Sequence, residues 1–386
     1  MKTLLSFLTR PAFAGALLAC AGLAVAAPAV RSVALPGMPP VLDPHNIYSA
    51  AGIDMLSRVV KHDRQLVYVP NTLDGTVSVI DPTTFKVIDT FKTGALPQHV
   101  VPSYDLRTLW VTNDYGNSLT PIDPVTGKPG RNVAVRDPYN MYFTPDGKYA
   151  IVVAEQMERL DFRDPHTMKL HDSVKTHCKG IDHMDFTADG RYLIATCEFN
   201  GGLVKVNVET HKVVGYLKLQ PPNHERAMPQ DVRVGPQGTT FYVADLRGDG
   251  VELVNPVSFK QTGFIATGYG AHGIYPSRNG KYLYVSDRGN PRVWGKHRGG
   301  VTVIDPATRK IVAQWPIPGG GSPDMGNTNA SGTQLWLSGR YDNVVYVFDT
   351  RSGRLLHKIR VGRQPHGLTV WPQPGRYSLG HTGNTR

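Results

Sequence analysis

The run Pro97-Gln98-His99-Val100-Val101-Pro102-Ser103 decides the fold, because it comes back along the chain with the apolar stretch Thr108-Leu109-Trp110-Val111-Thr112-Asn113 behind it. Its copies are Pro138-Tyr139-Asn140-Met141-Tyr142-Phe143, Asp182-His183-Met184-Asp185-Phe186, Pro229-Gln230-Asp231-Val232-Arg233-Val234, Ala271-His272-Gly273-Ile274-Tyr275, Pro323-Asp324-Met325-Gly326-Asn327 and Pro365-His366-Gly367-Leu368-Thr369-Val370. Successive copies are 41 to 52 residues apart. A self-similar period of that length marks a repeat architecture, in which each unit buries its apolar faces only by stacking on its neighbours.

Within a unit the pattern is four short strands. Strand a starts near the His/Asp/Asn position. A turn such as Thr144-Pro145-Asp146-Gly147-Lys148 leads to strand b (Tyr149 to Ala154), then to strand c ending in Asp-Pro (Val301 to Pro306), then to strand d (Lys310 to Trp315). Proline presets φ, glycine supplies a positive φ and aspartate caps its own turn, so these are hairpin turns with a mechanism. The 40 Gly and 30 Pro of the chain suit many tight turns and argue against a helical protein. Four antiparallel strands repeated in series make β-propeller blades. The ends set the number. Leu66 to Thr93 has strands b, c and d without a strand a, and His366 to Trp371 is a strand a with nothing after it. The last strand is therefore expected to complete the first blade, closing a ring of seven and removing its free edges.

The strand b segments Trp110-Val111-Thr112-Asn113, Tyr68-Val69-Pro70-Asn71, Tyr242-Val243-Ala244-Asp245 and Tyr284-Val285-Ser286-Asp287 resemble the YVTN-type β-propeller repeat family. So do the strand c segments Val77-Ser78-Val79-Ile80-Asp81 and Val345-Tyr346-Val347-Phe348-Asp349. The resemblance covers residues 65–371 and implies an all-β, seven-bladed propeller. It says little about activity, since such relatives include surface proteins and lactonase-like and lyase-like enzymes. Blade 3 departs from the pattern, because Glu155 to Asp164 lacks a clean strand c.

The resemblance also implies that strand a lines the central channel. His99, Asn140, His183, Asp231, His272, Asp324 and His366 then face one axis at one level. Neutral imidazoles converging from several elements are a transition-metal arrangement, so His99, His183, His272 and His366 are the expected metal ligands, with copper favoured. The competing reading is a hydrated, proton-binding channel. Strand b ends on the same face and offers a second ring: Asn71, Asp114, Glu155, Glu198, Asp245, Asp287 and Arg340. Glu155, Glu198, Asp231 and Asp324 are the candidate acids and bases. Cys178 and Cys197 fall on the same face of blade 4, so a disulfide is expected; a thiolate ligand beside His183 is the alternative, and it would favour copper. His45 and His381 lie in flanking segments and carry no assigned role.

Lys2 and Arg10 ahead of the apolar run Ala12 to Val25 form a secretory signal over residues 1–26, with Ala24-Val25-Ala26 as cleavage site. Leu17-Leu18-Ala19-Cys20 leaves open a lipid anchor on Cys20. Residues 27–64 are read as an extended arm and a short helix, and residues 372–386 as a tail. The net charge of +11 is scattered among turns without stacking aromatics, which excludes nucleic acid as a partner. No later run is long enough to span a bilayer. The expectation is a periplasmic or secreted monomer acting on a small, anionic molecule in the channel, under basic loops at Gln220 to Met228 and Arg288 to Gly300. The leading function is a copper-dependent, oxidoreductase-like enzyme. The alternatives are a metal-independent lyase or lactonase-like enzyme and a non-catalytic binding propeller.

Overall fold

The turn chemistry appears where the sequence places it. In a computed structural model describing residues 34–289 and 298–386, Thr144 Oγ1 donates to Asp146 Oδ1 at 2.6 Å and accepts from Tyr149 N–H at 3.0 Å, with Gly147 at φ 72°. The same knot recurs at Thr187–Asp189–Tyr192 and at Ser277–Asn279–Tyr282. Each knot reverses the chain between strands a and b; blades 2 to 7 each have such a turn, so six a-to-b hairpins lie on one end of the molecule.

Seven antiparallel sheets result. Blade 1 holds Thr369–Trp371, Leu66–Asn71, Thr76–Asp81 and Lys86–Lys92. Leu66 pairs with Trp371 and Tyr68 with Thr369, so the final strand closes the ring on the first blade. Strand a of blades 2 to 7 is Pro97–Pro102, Pro138–Phe143, Ile181–Phe186, Pro229–Val234, Ala271–Pro276 and Pro323–Thr328. Apolar side chains interleave between blades: Tyr142, Ile151 and Phe162 of blade 3 pack with Met184, Leu193 and Val204 of blade 4. Burial of each such side chain is worth about 1.5–3 kcal/mol.

Blade 3 corrects the sequence reading. Arg159–Arg163 is a regular strand c, paired to Ala150–Ala154 on one side and Leu170–Lys175 on the other. Asp161 makes this possible: buried in the strand, it holds Arg159 at 2.8 Å and Arg163 at 2.9 Å, so a polar segment is neutralised internally. The irregular outer edge belongs to blade 2, where Lys128–Pro129 and Val133–Ala134 share the place of strand d. Gly130, between those two pieces, and Pro129 interrupt the ladder there.

Outside the ring, the segment read as a helix forms two 3-10 turns, Ser49–Ala51 and Arg58–Val60. Tyr48 anchors it, donating its hydroxyl to Val234 O at 2.7 Å. The tail after Trp371 does not trail off the surface. It runs back into the channel: Leu379 O accepts from Phe143 N–H, His381 N–H donates to Met141 O, and Thr382 Oγ1 donates to Gly326 O. Asn384 and Arg386 then close on Asp185 at 2.8 and 3.1 Å. No helix among the described residues is long and apolar enough to cross a membrane. The expected secretory signal, with Cys20, lies outside the described residues.

Candidate functional site in the central channel

Strand pairing sorts the channel residues into two rings, where the sequence suggested one. Pro97 pairs with Asn113, Ile181 with Cys197, Pro229 with Asp245, Ala271 with Asp287 and Pro323 with Gly339, each followed by a register shift. Pro138 and Pro365 occupy the same place on their blades. One residue further on stand Gln98, Tyr139, Asp182, Gln230, His272, Asp324 and His366. Two residues on stand His99, Asn140, His183, Asp231, Gly273, Met325 and Gly367. His272, Asp324 and His366 therefore belong to a different ring from His99, Asn140, His183 and Asp231. The slip arises where the inner position is Gly or Met and the preceding polar residue looks like its counterpart; one residue is enough to change a side chain's direction.

The inner ring gathers His99 and His183, ring centroids 5.3 Å apart, and the tail adds His381 at 5.3 Å from His99 and 4.8 Å from His183. All three are fully buried, and one ring nitrogen from each lies within 4.8 Å of the others. Nε2 of His99 and His381 has no hydrogen-bond partner, and that of His183 lies 3.2 Å from Asp182 Oδ1. Burial holds all three neutral: it takes the His99 pKa down to about 3 and those of His183 and His381 well below the usual range. His99 Nδ1 meets Tyr139 O at 3.1 Å. Gly367 makes room for the His99 ring, since a Cβ there would stand 2.1 Å from His99 Cδ2. Asn140 reaches Nδ1 of His183 at 3.1 Å and of His381 at 3.0 Å through its amide nitrogen, while its oxygen accepts from Met141 N–H at 2.8 Å. Asp231 accepts from Ile274 N–H at 2.9 Å and pairs with Arg233, and its carboxylate is 4.0 Å from His381 Nε2.

His272 and His366 are held by Asp324 instead. Its oxygens lie 2.9 Å from His272 Nδ1 and 2.7 Å from His366 Nδ1. Arg288 bonds Asp324 at 2.6 Å and also reaches His272 Nε2, and Arg340 stands at 3.7 Å. Burial alone would raise the Asp324 pKa, but Arg288, His272 and His366 together pull it well below the usual carboxylate range. His366 Nε2 is 3.4 Å from the hydroxyl of Tyr139, whose ring roofs the inner cluster 5.3 Å from His99 and 6.0 Å from His183.

The residue directly after each strand b forms the rim: Thr72, Asp114, Glu155, Glu198, Leu246, Arg288 and Arg340. The sequence reading set three of these one residue early. Asn71 bonds Thr76 and Ser78, Asp245 caps Met228 N–H, and Asp287 accepts from Thr302, all within their own blades or loops. The rim is split by charge, with acids on blades 2 to 4 and guanidiniums on blades 6 and 7. Burial, then Glu198 beside it, pushes the Glu155 pKa up to about 8; burial raises Glu198 too. Asp182, buried between them, is driven well above the usual range by burial and by both glutamates.

Cys178 and Cys197 are disulfide-bonded, which closes the thiolate alternative and fits an oxidising compartment. The loop Gln220 to Met228 is tied to the rim through Asn223 and Arg247 O and through Arg226 and Phe199 O. Most of the loop Arg288 to Gly300, with His297, lies outside the described residues. His381 was passed over in the sequence because the tail has no repeat to place it. The only local signal is a histidine between Gly380 and Gly383 in a segment with alternating Tyr377 and Leu379.

Similar architectures are known. The chain aligns with Kuenenia stuttgartiensis hydrazine synthase at 19% identity and TM-score 0.58, covering 70% of this chain and 88% of that one. It aligns with dihydro-heme d1 dehydrogenase NirN in complex with DHE at 15% and 0.57, covering 79% and 74%. A functionally unknown protein from Desulfotomaculum acetoxidans gives 16% and 0.63, covering 79% and 98%. At these identities the likeness is one of fold. A search of curated proteins gave no match. The profile of the YNCE-like beta-propeller matches residues 23–374, and with the ring closed as described the chain belongs to the YNCE-like β-propeller family.

Proposed function

We propose that this is an exported metal-dependent enzyme, oxidoreductase-like, that holds one transition-metal ion on His99, His183 and His381 and acts on a small, anionic molecule entering past the rim. One observation carries the reading: three buried, neutral imidazoles bring ring nitrogens within 4.8 Å of one another, with Nε2 of His99 and His381 making no hydrogen bond and that of His183 facing only the Asp182 carboxylate at 3.2 Å. A buried polar atom without a hydrogen bond costs about 1–3 kcal/mol, and three neutral imidazoles in one place form a donor set for a single ion. Metal–nitrogen bonds of about 2.0–2.1 Å require the rings to close up by roughly 1 Å. An all-imidazole donor set suits Cu, Zn, Fe and Ni, and copper heads the affinity order. With both sulfurs in a disulfide, the set has no thiolate.

Bound there, the ion would supply Lewis-acid or one-electron chemistry. The chain's own residues divide the remaining work. Tyr139 separates the cluster from the rim and bonds His366, which Asp324 holds in place. Glu155, its pKa pushed up to about 8 by burial, is suited to give a proton at the mouth. A metal-independent reading has support from Asn140, whose amide protons on both Nδ1 atoms put the ring protons of His183 and His381 on Nε2. Elemental analysis and copper titration of protein purified without a His tag separate the two. The proposal expects one ion per chain, loss of that ion in His381→Ala and its retention in His272→Ala. No copper uptake, or uptake unchanged in His381→Ala, overturns it.

A further inference from the structure

We infer that the rim carries an anion subsite, distinct from the imidazole cluster, in which Arg340 grips the carboxylate of a small organic acid. The inference rests on the channel being the substrate site, but it does not depend on a metal being there. Four observations support it. The rim segregates charge: Asp114, Glu155 and Glu198 follow one another on three blades, and Arg288 and Arg340 on two others. Of the two guanidiniums, Arg288 is used up, bonded to Asp324 through Nε and Nη2 and to His272. Arg340 is not. It reaches Asp324 only at 3.7 Å, and its Nη1 is buried with no hydrogen-bond partner.

The charge does not balance either. Asp324 is one carboxylate facing two guanidiniums that stay charged at any ordinary pH, while the histidines around it are neutral. Arg340 stands 3.7 Å from Asp324, which holds His366, and the His366 ring centroid is 4.8 Å from that of His99, so an anion on Arg340 would sit beside the imidazole cluster. The class follows from the geometry. A guanidinium with a free edge matches a carboxylate in a two-pronged bond. A dianion such as phosphate would bring a second charge toward Glu155, Glu198 and Asp182 on the facing blades.

The test uses metal-free protein at constant ionic strength, titrated with acetate, with its uncharged counterpart acetamide and with inorganic phosphate, followed by thermal shift and calorimetry. Saturable stabilisation by acetate and none by acetamide is expected. Arg340→Gln should weaken acetate at least about tenfold, and Arg340→Lys should fall between, since it keeps the charge but not the fork. Circular dichroism checks that the variants fold. Acetate without effect on the wild type, equal acetate binding in Arg340→Gln, or phosphate binding more tightly than acetate would each overturn the inference. Copper uptake is measured on the same variants: acetate binding intact with no copper uptake sinks the metal proposal alone, and the converse sinks the anion subsite alone.

Discussion

Asn140→Asp is the substitution that most directly probes the imidazole cluster. In the wild type the Asn140 amide nitrogen sits 3.1 and 3.0 Å from Nδ1 of His183 and His381, and its oxygen is held by Met141 N–H at 2.8 Å. An amide nitrogen only donates, so both Nδ1 atoms accept and both Nε2 atoms carry the proton. For Nε2 to bind a metal, the amide must turn its oxygen to the rings, losing the Met141 bond at about 1 kcal/mol. A carboxylate removes that conflict, since one oxygen keeps Met141 N–H and the other accepts from the Nδ1–H groups. A partner of this kind typically changes metal affinity by about 10–100-fold, roughly 1.4–2.8 kcal/mol. Copper affinity, measured by competition with a chromophoric chelator at neutral pH, should therefore rise in Asn140→Asp. The metal-free form should melt lower than the wild type, because a carboxylate is now buried among neutral rings. Unchanged or weaker copper affinity, in a variant that still folds, would refute the tautomer argument.

Two further predictions concern stability. Glu155 has a folded pKa of about 8 against an ordinary value of 4.5, so the unfolded chain loses this proton first as pH rises. Stability attached to it is full below about pH 4.5 and drains away up to about pH 8. Glu155→Gln, which fixes the neutral form, should therefore match the wild type near pH 4.5 and exceed it by about 4 kcal/mol near pH 8. A pH-independent difference in urea denaturation would sink that account. Replacing Cys178 and Cys197 together by serine opens a loop of sequence separation 19. It should cost about 3 kcal/mol, and a loss below roughly 1 kcal/mol would mean that the bond does little to constrain the unfolded chain.

The single-ring reading failed at particular residues and for a stateable reason. His272-Gly273, Asp324-Met325 and His366-Gly367 put the polar residue one place before the inner position, and a pattern keyed to residue type cannot see a bulge. Gly367 shows what the bulge is for, because the His99 ring occupies the space a Cβ would take. Blade 3 failed differently. Arg159 and Arg163 look wrong for a strand until Asp161 is seen between them, and the pairing depends on the strand being formed.

Read alone, the chain determined the repeat, the strand and turn order within each blade, the closure of the ring by the fragment His366 to Trp371 and the nearness of Cys178 to Cys197. The strand and turn order follows from local hydrogen bonding and turn geometry, which short stretches of sequence encode, and the closure follows from two end fragments that each lack what the other has. The phase of the channel residues, the charge-split rim and the arrival of His381 beside Asn140, 241 residues away, were decided only by the tertiary structure. The tail makes its bonds to the walls of a channel that exists only once seven blades have closed, so nothing in its own fifteen residues could announce where it goes.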